Sequence, residues 1–496
     1  MTTHRDAEHA HPSVHAHAHH DESPQLPHRW RLLALLCLAQ FMLIADVTVI
    51  NVALPTIGAE LSLGGSGLTW VVTAYTLFFG SLLLLGGRLA DALGKQRTFL
   101  AGLTLFTVAS MACGLAPGGG TLIAARSVQG VGAALMSPAA MALVTTFFRG
   151  PDRNKALGIW AAIGGAGSAV GVLLGGAFVS GPGWEWVFFI NVPVGLVALL
   201  GVPALLRNSR ALVAPSGRHG GLDPVGALTL TAAPGLLIFG LVQARDHGFG
   251  APAGWLPLLG AALAALAFVA VERRVREPLV RLALFGRRSL VGGGAVMLAA
   301  SGLLIASFFL SSFYLQHVLG FSALKTGLAF LPVAVAITLG AHLGSHLVGR
   351  LGWRPAGTAA FALTAVGAYL LTGLDKDSNV WTELVPGFAL LSFALGTGFV
   401  CATTAAMNGL PHQDMGLASG LVGTAHELGA ALGVAVISTV AGASLEGPAA
   451  GGAVGTGGFD NAFTACAIIA AAVAALGALL LPAGRPDPAA GPVMAH

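Results

Sequence analysis

Blocks of apolar residues recur along nearly the whole chain, separated by short polar turns. They run at 32–54, 69–90, 98–116, 121–148, 156–180, 184–206, 225–243, 255–272, 289–311, 325–350, 354–373, 382–407, 416–443 and 460–481. About 20 apolar residues in helical form cover the hydrocarbon core of a bilayer. The pattern therefore predicts an all-α polytopic membrane protein with fourteen transmembrane helices. A twelve-helix chain with two re-entrant segments is the alternative. An even count puts both termini on one side.

The basic residues test this count, because Lys and Arg concentrate in cytoplasmic loops. With a cytoplasmic N-terminus, Arg245, Lys325 and Lys376 fall outside and Arg126 falls within a span. That leaves 21 of the 25 Lys and Arg in cytoplasmic segments or at their edges. They cluster as Arg88/Lys95/Arg97, Arg149/Arg153/Lys155, Arg207/Arg210/Arg218 and the run from Arg273 to Arg288. A miscount by one helix would scramble the alternation downstream, yet it persists to Arg485.

Composition agrees. Only 9% of residues are charged, against about 25% in soluble proteins, too few to cover a water-facing surface. The 70 glycines suit closely packed membrane helices. Cys37, Cys113, Cys401 and Cys466 all lie in apolar blocks and read as packing residues without disulfides. The first apolar run is too long for a secretory signal. Residues 1–30 form a polar tail with eight histidines, among them His4, His9, His19 and His20. Such a tract can bind metal, but a disordered tail is the expectation, and no metal site is assigned. The net charge of +4 is small and says little about partners; no nucleic-acid partner is expected. No loop is long enough for a catalytic domain. There is no H-E-x-x-H, G-x-S-x-G or Walker lysine, so neither an enzyme nor an ATP-driven pump is expected.

An internal repeat is visible. Gly87-Arg88-Leu89-Ala90-Asp91-Ala92-Leu93-Gly94-Lys95-Gln96-Arg97 joins the second and third spans as a short cytoplasmic turn. Leu347-Val348-Gly349-Arg350-Leu351-Gly352-Trp353-Arg354 joins the tenth and eleventh. Aligning Gly94 with Gly352 also aligns two leucine pairs. The offset of eight spans fits two six-helix halves flanking an inserted pair, a duplicated plan common in secondary transporters.

Two ionisable residues stand inside the spans of the first half. A carboxylate there is costly and by default a functional candidate; Asp46 can gain and lose a proton, although a structural polar network would also hold it. Arg126 is the one strictly intramembrane Lys or Arg and needs a partner. Asp46 lies about 14 residues into an outward-running helix and Arg126 about 5 into an inward-running one. At 1.5 Å per residue both fall in the outer half of the bilayer, at a depth where each can serve the other. In the second half Glu427 lies mid-span beside His426 and reads as a second protonation site, an anionic contact for cationic substrate, or a structural acid. His342 and His346, one turn apart, are expected to pack rather than bind metal.

Several of these segments resemble the major facilitator superfamily. Gly87–Arg97 is similar to its G-x-L-A-D-x-x-G-[RK]-[RK] loop, with Ala92 in place of the usual basic residue. Leu122-x-x-x-Arg126-x-x-Gln129-Gly130-x-Gly132 resembles its fourth-helix motif. Gly158, Gly167, Gly171, Gly175 and Gly176 have the spacing of its fifth-helix antiporter motif, with Val172 where proline is usual. Asp46–Pro55 and Trp184–Gly195 resemble signatures of the fourteen-helix drug:proton antiporters, as does Arg276-Glu277-Pro278-Leu279. The resemblance covers about residues 30–480. It implies a carrier with an N-terminal half at 31–206, an inserted helix pair with cytoplasmic linkers at 207–288, a C-terminal half at 289–482 and a cytoplasmic tail at 483–496.

The resemblance further implies export of small lipophilic drugs or metabolites from the cell membrane by a monomer, through alternating access. The proton gradient is the energy source and no cofactor is needed. By the same resemblance the helices of Asp46 and Arg126 border one central cavity, so an Asp46–Arg126 interaction is expected. Asp46, Arg126 and Glu427 would couple protons; Gly87, Asp91, Gly94, Lys95 and Arg97 would form a conformational latch. A dedicated exporter of one natural product, an importer and a non-transporting membrane protein are the other readings. Phe188, Phe308, Phe309, Phe313 and Phe330 are candidates for an apolar pocket lining, though each would also suit a lipid-facing position.

Overall fold

With no water in the hydrocarbon core, backbone N–H and C=O groups must pair within their own segment, which favours helices. The computed structural model follows that rule. It describes residues 28–148, 150–207, 223–276, 278–410, 415–445 and 456–485, and contains no strand among them. The histidine-rich tail up to Pro27, Arg149, Arg210, Arg218, Glu277 and the C-terminal tail beyond Arg485 lie outside the described residues.

The helices are α1 (Arg29–Glu60), α2 (Gly65–Leu93), α3 (Lys95–Gly114), α4 (Gly119–Phe147), α5 (Gly150–Ser180) and α6 (Trp186–Leu206), which has a one-residue break at Ile190. There follow α7 (Pro224–His247), α8 (Pro252–Glu272), α9 (Arg288–Phe313), α10 (Ala323–Leu351), α11 (Trp353–Tyr369), α12 (Val385–Ala406), α13 (Met415–Ala441) and α14 (Gly457–Leu480). Among the described residues, 12 helices are long and apolar enough to cross a membrane. The other two, α5 and the 17-residue α11, coincide with the fifth and eleventh predicted spans.

Contacts repeat at an offset of eight helices. In the first bundle α2 packs on α4, α3 on α4 and α1 on α5; in the second α10 packs on α12, α11 on α12 and α9 on α13. Between bundles, α2 meets α13 and α5 meets α10, as a twofold relation between halves requires. Hydrogen bonds join the halves at one end: Ser312 Oγ donates to the Asn51 carbonyl (2.6 Å) and Gln316 Nε2 to that of Val52 (2.9 Å). Thr69 Oγ1 meets Ser438 Oγ at 3.0 Å, and the Leu324 amide donates to Ser180 Oγ at 3.1 Å. This end lies opposite the arginine-rich loops.

The antiparallel pair α7–α8 sits on the α2–α13 seam. Leu77 of α2, Ile238 and Val242 of α7, and Ala431 and Ala435 of α13 share one apolar cluster. Leu84, Ala227, Leu279 and Val280 form a second. The outer face of α8, including Leu259, Leu263 and Leu266, is exposed, as expected for a helix against lipid.

One boundary differs from the sequence reading. The predicted turn at 91–97 is almost entirely helical: α2 continues to Leu93, α3 starts at Lys95 and only Gly94 breaks them. Asp91 therefore stands in the last turn of α2. The reason is local. Gly94 has φ +99°, and its amide still bonds the Ala90 carbonyl at 3.1 Å, so one residue reverses the chain. Gly352 does the same between α10 and α11, with φ +90° and a 2.9 Å bond to Val348. The duplicated motif is thus a duplicated one-residue corner. A side chain at these angles is strained by about 1–3 kcal/mol. Gly94→Ala and Gly352→Ala should each lower the melting temperature of the purified protein in detergent. Gly87→Ala, whose new methyl would have its nearest neighbour at 3.9 Å, should leave it unchanged.

Candidate functional site

An ion buried in hydrocarbon needs both a counter-charge and hydrogen bonds for its remaining lone pairs or protons. The first bundle supplies both to Asp46. Arg126 Nη1 pairs with Asp46 Oδ2, and the two residues are only 1% and 2% exposed. Asp46 Oδ1 accepts from Gln129 Nε2 at 2.9 Å and Asn191 Nδ2 at 3.3 Å. Arg126 also donates to Gln129 Oε1 at 2.8 Å and, through Nε, to the Val71 carbonyl at 3.1 Å. Ser110 Oγ accepts from both Gln129 (2.7 Å) and Asn191 (3.3 Å). The guanidinium stacks over Tyr75 at 4.4 Å and lies 5.9 Å from the Phe188 ring, adding cation–π attraction. Five helices, α1, α2, α3, α4 and α6, thus contribute to one polar network around the Asp46–Arg126 pair. A small crevice lined by Phe41, Met42, Asp46, Leu174, Asn191 and Val194 opens beside it.

The expected Asp46–Arg126 contact is therefore present. Gln129 follows Arg126 by three residues and so shares its helix face. Ser110 and Tyr75 were not singled out in the sequence; a serine or tyrosine within a span is too ordinary to draw notice. Asn191 carried a visible signal, as an amide inside the sixth span.

Glu427 stands apart and makes no hydrogen bond to this network among the described residues. Its side chain, 13% exposed, lies 3.2 Å from His426 Nδ1. It packs at the α2–α13 seam, where a Cβ on Gly80 would come within 2.6 Å of the Glu427 Cβ. His426 in turn has its ring 5.7 Å from Phe399. Phe308, Phe309, Phe313 and Phe330 are buried rather than lipid-facing. Phe308 and Phe330 pack edge-on, with each other and with Phe388. His342 and His346 are exposed on α10, 5.3 Å apart.

The fifth-helix glycines clear two neighbours. A Cβ on Gly171 would come 2.1 Å from Thr48 Oγ1, and one on Gly175 would lie 3.0 Å from the Val49 carbonyl. Gly167 faces Ile44 of α1, whereas Gly176 would strike Ala323 and Leu324 of α10. Gly158 is half-buried. At the other end of the bundle Lys95 Nζ donates to Thr146 Oγ1 at 2.7 Å. Arg88 Nη2 donates to the Pro278 carbonyl in the linker after α8. Asp91 and Arg97 are exposed at the surface.

The Major Facilitator Superfamily model matches residues 36–434. The chain belongs to that superfamily. It is 38% identical over 462 residues to the cephamycin export protein of Amycolatopsis lactamdurans, covering 92% of this chain and 93% of that one. It is also 38% identical to the puromycin resistance protein of Streptomyces alboniger (84% and 82% covered) and to the lincomycin resistance protein of Streptomyces lincolnensis (85% and 86%). Among solved structures, an inward-facing bacterial homologue of the human lysosomal transporter Spinster superposes with a TM-score of 0.60 at 18% identity, covering 92% of this chain and 98% of that one. This superfamily protein is a multi-span membrane transporter and not an enzyme.

Removing Arg126 alone would leave a buried, uncompensated carboxylate, which costs about 3–5 kcal/mol. Arg126→Ala should therefore melt well below wild type in detergent. The double variant Asp46→Asn/Arg126→Gln should recover much of the loss, giving a coupling energy of the same sign in a double-mutant cycle.

Proposed function

We propose that this transporter is a proton-coupled exporter of small lipophilic antibiotics or related metabolites, located in the cell membrane. The observation that carries the reading is the buried Asp46–Arg126 pair. Protonating Asp46 removes the negative member and leaves Arg126 with the Val71 carbonyl, Gln129 and two aromatic faces. The energy of the first bundle then depends on proton occupancy, and a difference in that energy between inward and outward states shifts their balance. The proton gradient supplies the drive, and no cofactor takes part.

Fourteen helices span the bilayer in a monomer with both termini cytoplasmic. The halves at 31–206 and 289–482 rock about a central cavity, and 207–288 contributes the inserted pair. Substrate enters from the cytoplasm or inner leaflet. Among the described residues, four hydrogen bonds joining the halves lie at the outer end and a fifth, from Thr424 Oγ1 to the Gly80 carbonyl at 3.0 Å, lies mid-seam, which supports an arrangement closed outward. Asp91, Gly94, Lys95, Arg97 and Gly87 act as the latch at the inner end, and the α5 glycines allow α1 and α10 to slide past α5. Glu427 is a second protonation site or an anionic contact for cationic substrates. A narrower reading, an exporter of one natural product, gains support from relatives that are named for single antibiotics.

The test is transport in energised inverted membrane vesicles across a panel of lipophilic compounds. Dissipating the proton gradient should abolish accumulation, and Asp46→Asn should reduce uphill transport at least tenfold; undiminished pumping by Asp46→Asn would sink the mechanism. Glu427→Gln should spare neutral compounds and impair cationic ones if it contacts substrate, but impair both if it carries a proton.

A further inference from the structure

The inserted helix pair carries two buried acids that the transport site does not use. Asp223 caps α7, its Oδ1 accepting the Gly226 amide at 2.7 Å. Glu272 ends α8, its Oε2 accepting the Val280 amide at 3.1 Å. The two are 3% and 4% exposed. Each keeps a second oxygen, Asp223 Oδ2 and Glu272 Oε1, buried and without a hydrogen-bond partner among the described residues. Both orphan oxygens converge on Gly226, lying 2.4 Å and 2.9 Å from where its Cβ would sit. A side chain there would fill the space they face.

Two carboxylates confronted in an apolar pocket cannot both keep their charge cheaply, whereas one proton between them neutralises half the charge and turns two orphan acceptors into a donor and an acceptor. Arg88 of α2 is a cation within electrostatic range of Glu272, and its guanidinium donates to the Pro278 carbonyl. Among the described residues, an apolar cluster of Leu84, Ala227, Leu279 and Val280, with Leu417 and Leu421 of α13, packs at this end of the pair. Among the described residues no third His, Cys, Asp or Glu joins the pair to make a metal cluster, and a divalent cation would want about six oxygens.

We propose that Asp223 and Glu272 form a proton-binding site at the cytoplasmic end of the inserted pair, one proton bridging Asp223 Oδ2 and Glu272 Oε1. The Glu272 carboxyl also holds Val280 of the strap 278–280, which Arg88 grips from α2. Proton loss sets two negative charges against each other and loosens the strap, so the grip of the hairpin on α2 answers to cytoplasmic pH. This site is distinct from Asp46, and its occupancy does not depend on the exporter reading.

Infrared difference spectra of the full-length protein in lipid, titrated with pH, test the assignment. In an Asp46→Asn/Glu427→Gln background one protonated-carboxyl band should remain and titrate. Adding Glu272→Gln or Asp223→Asn should remove it. A background spectrum without any protonated carboxyl overturns the proposal even if the further variants fail to fold. So does a band that survives both, or stabilisation by magnesium or calcium that both variants abolish, which would mark a metal site instead.

Discussion

A carboxylate locked to a guanidinium in the middle of an apolar bundle sets the terms for the rest of this molecule. Either Asp46 or Arg126 left without the other is costly in such surroundings. Held together, and with amides from α4 and α6 filling the remaining positions, they form a neutral unit that five helices must meet to build. The same dependence makes the unit responsive: adding one proton changes the charge of the whole knot, because the partner left behind cannot change its own. Arginine suits this role since it stays protonated and its planar fork serves an acid, an amide, a carbonyl and two aromatic faces at once.

Bringing five helices to one point requires that their backbones come close, and the glycines make that possible. A Cβ on Gly86 would overlap the Ala134 carbonyl at 2.0 Å, and one on Gly130 would meet that of Tyr75 at 2.4 Å. Here α2 and α4 touch backbone to backbone, which sets Tyr75 and Val71 against Arg126. In membranes such contacts replace the hydrophobic drive that holds soluble bundles together. The abundance of glycine is therefore tied directly to the polar centre.

Much of this was legible along the chain because the strongest constraints act locally. Apolar blocks mark spans, arginines mark one face, and helical rise alone placed Asp46 and Arg126 at one depth. What escaped depends on which way a face turns. Ser110 and Tyr75 look like any neutral polar residues in a span until α3 and α2 are set in place. The corner at Gly94 was read as a longer turn because polar Arg88 and Asp91 suggest a loop, although helical hydrogen bonding continues past the edge of the apolar block. Asp223 and Glu272 gave no signal at all, since they sit at the two ends of a hairpin and become neighbours only when it closes.

The placement of α7 and α8 breaks the symmetry that the duplicated halves otherwise share. Of the two equivalent seams, α2–α13 is overlaid by the hairpin, through Ile238 and Val242, while α5–α10 has no such cover from it. A greasy molecule dissolved in the surrounding lipid thus meets a seam screened by the hairpin on one flank and a closely packed but unscreened seam on the other. Duplication made two equivalent seams, and the insertion decided which of them faces the bilayer unscreened.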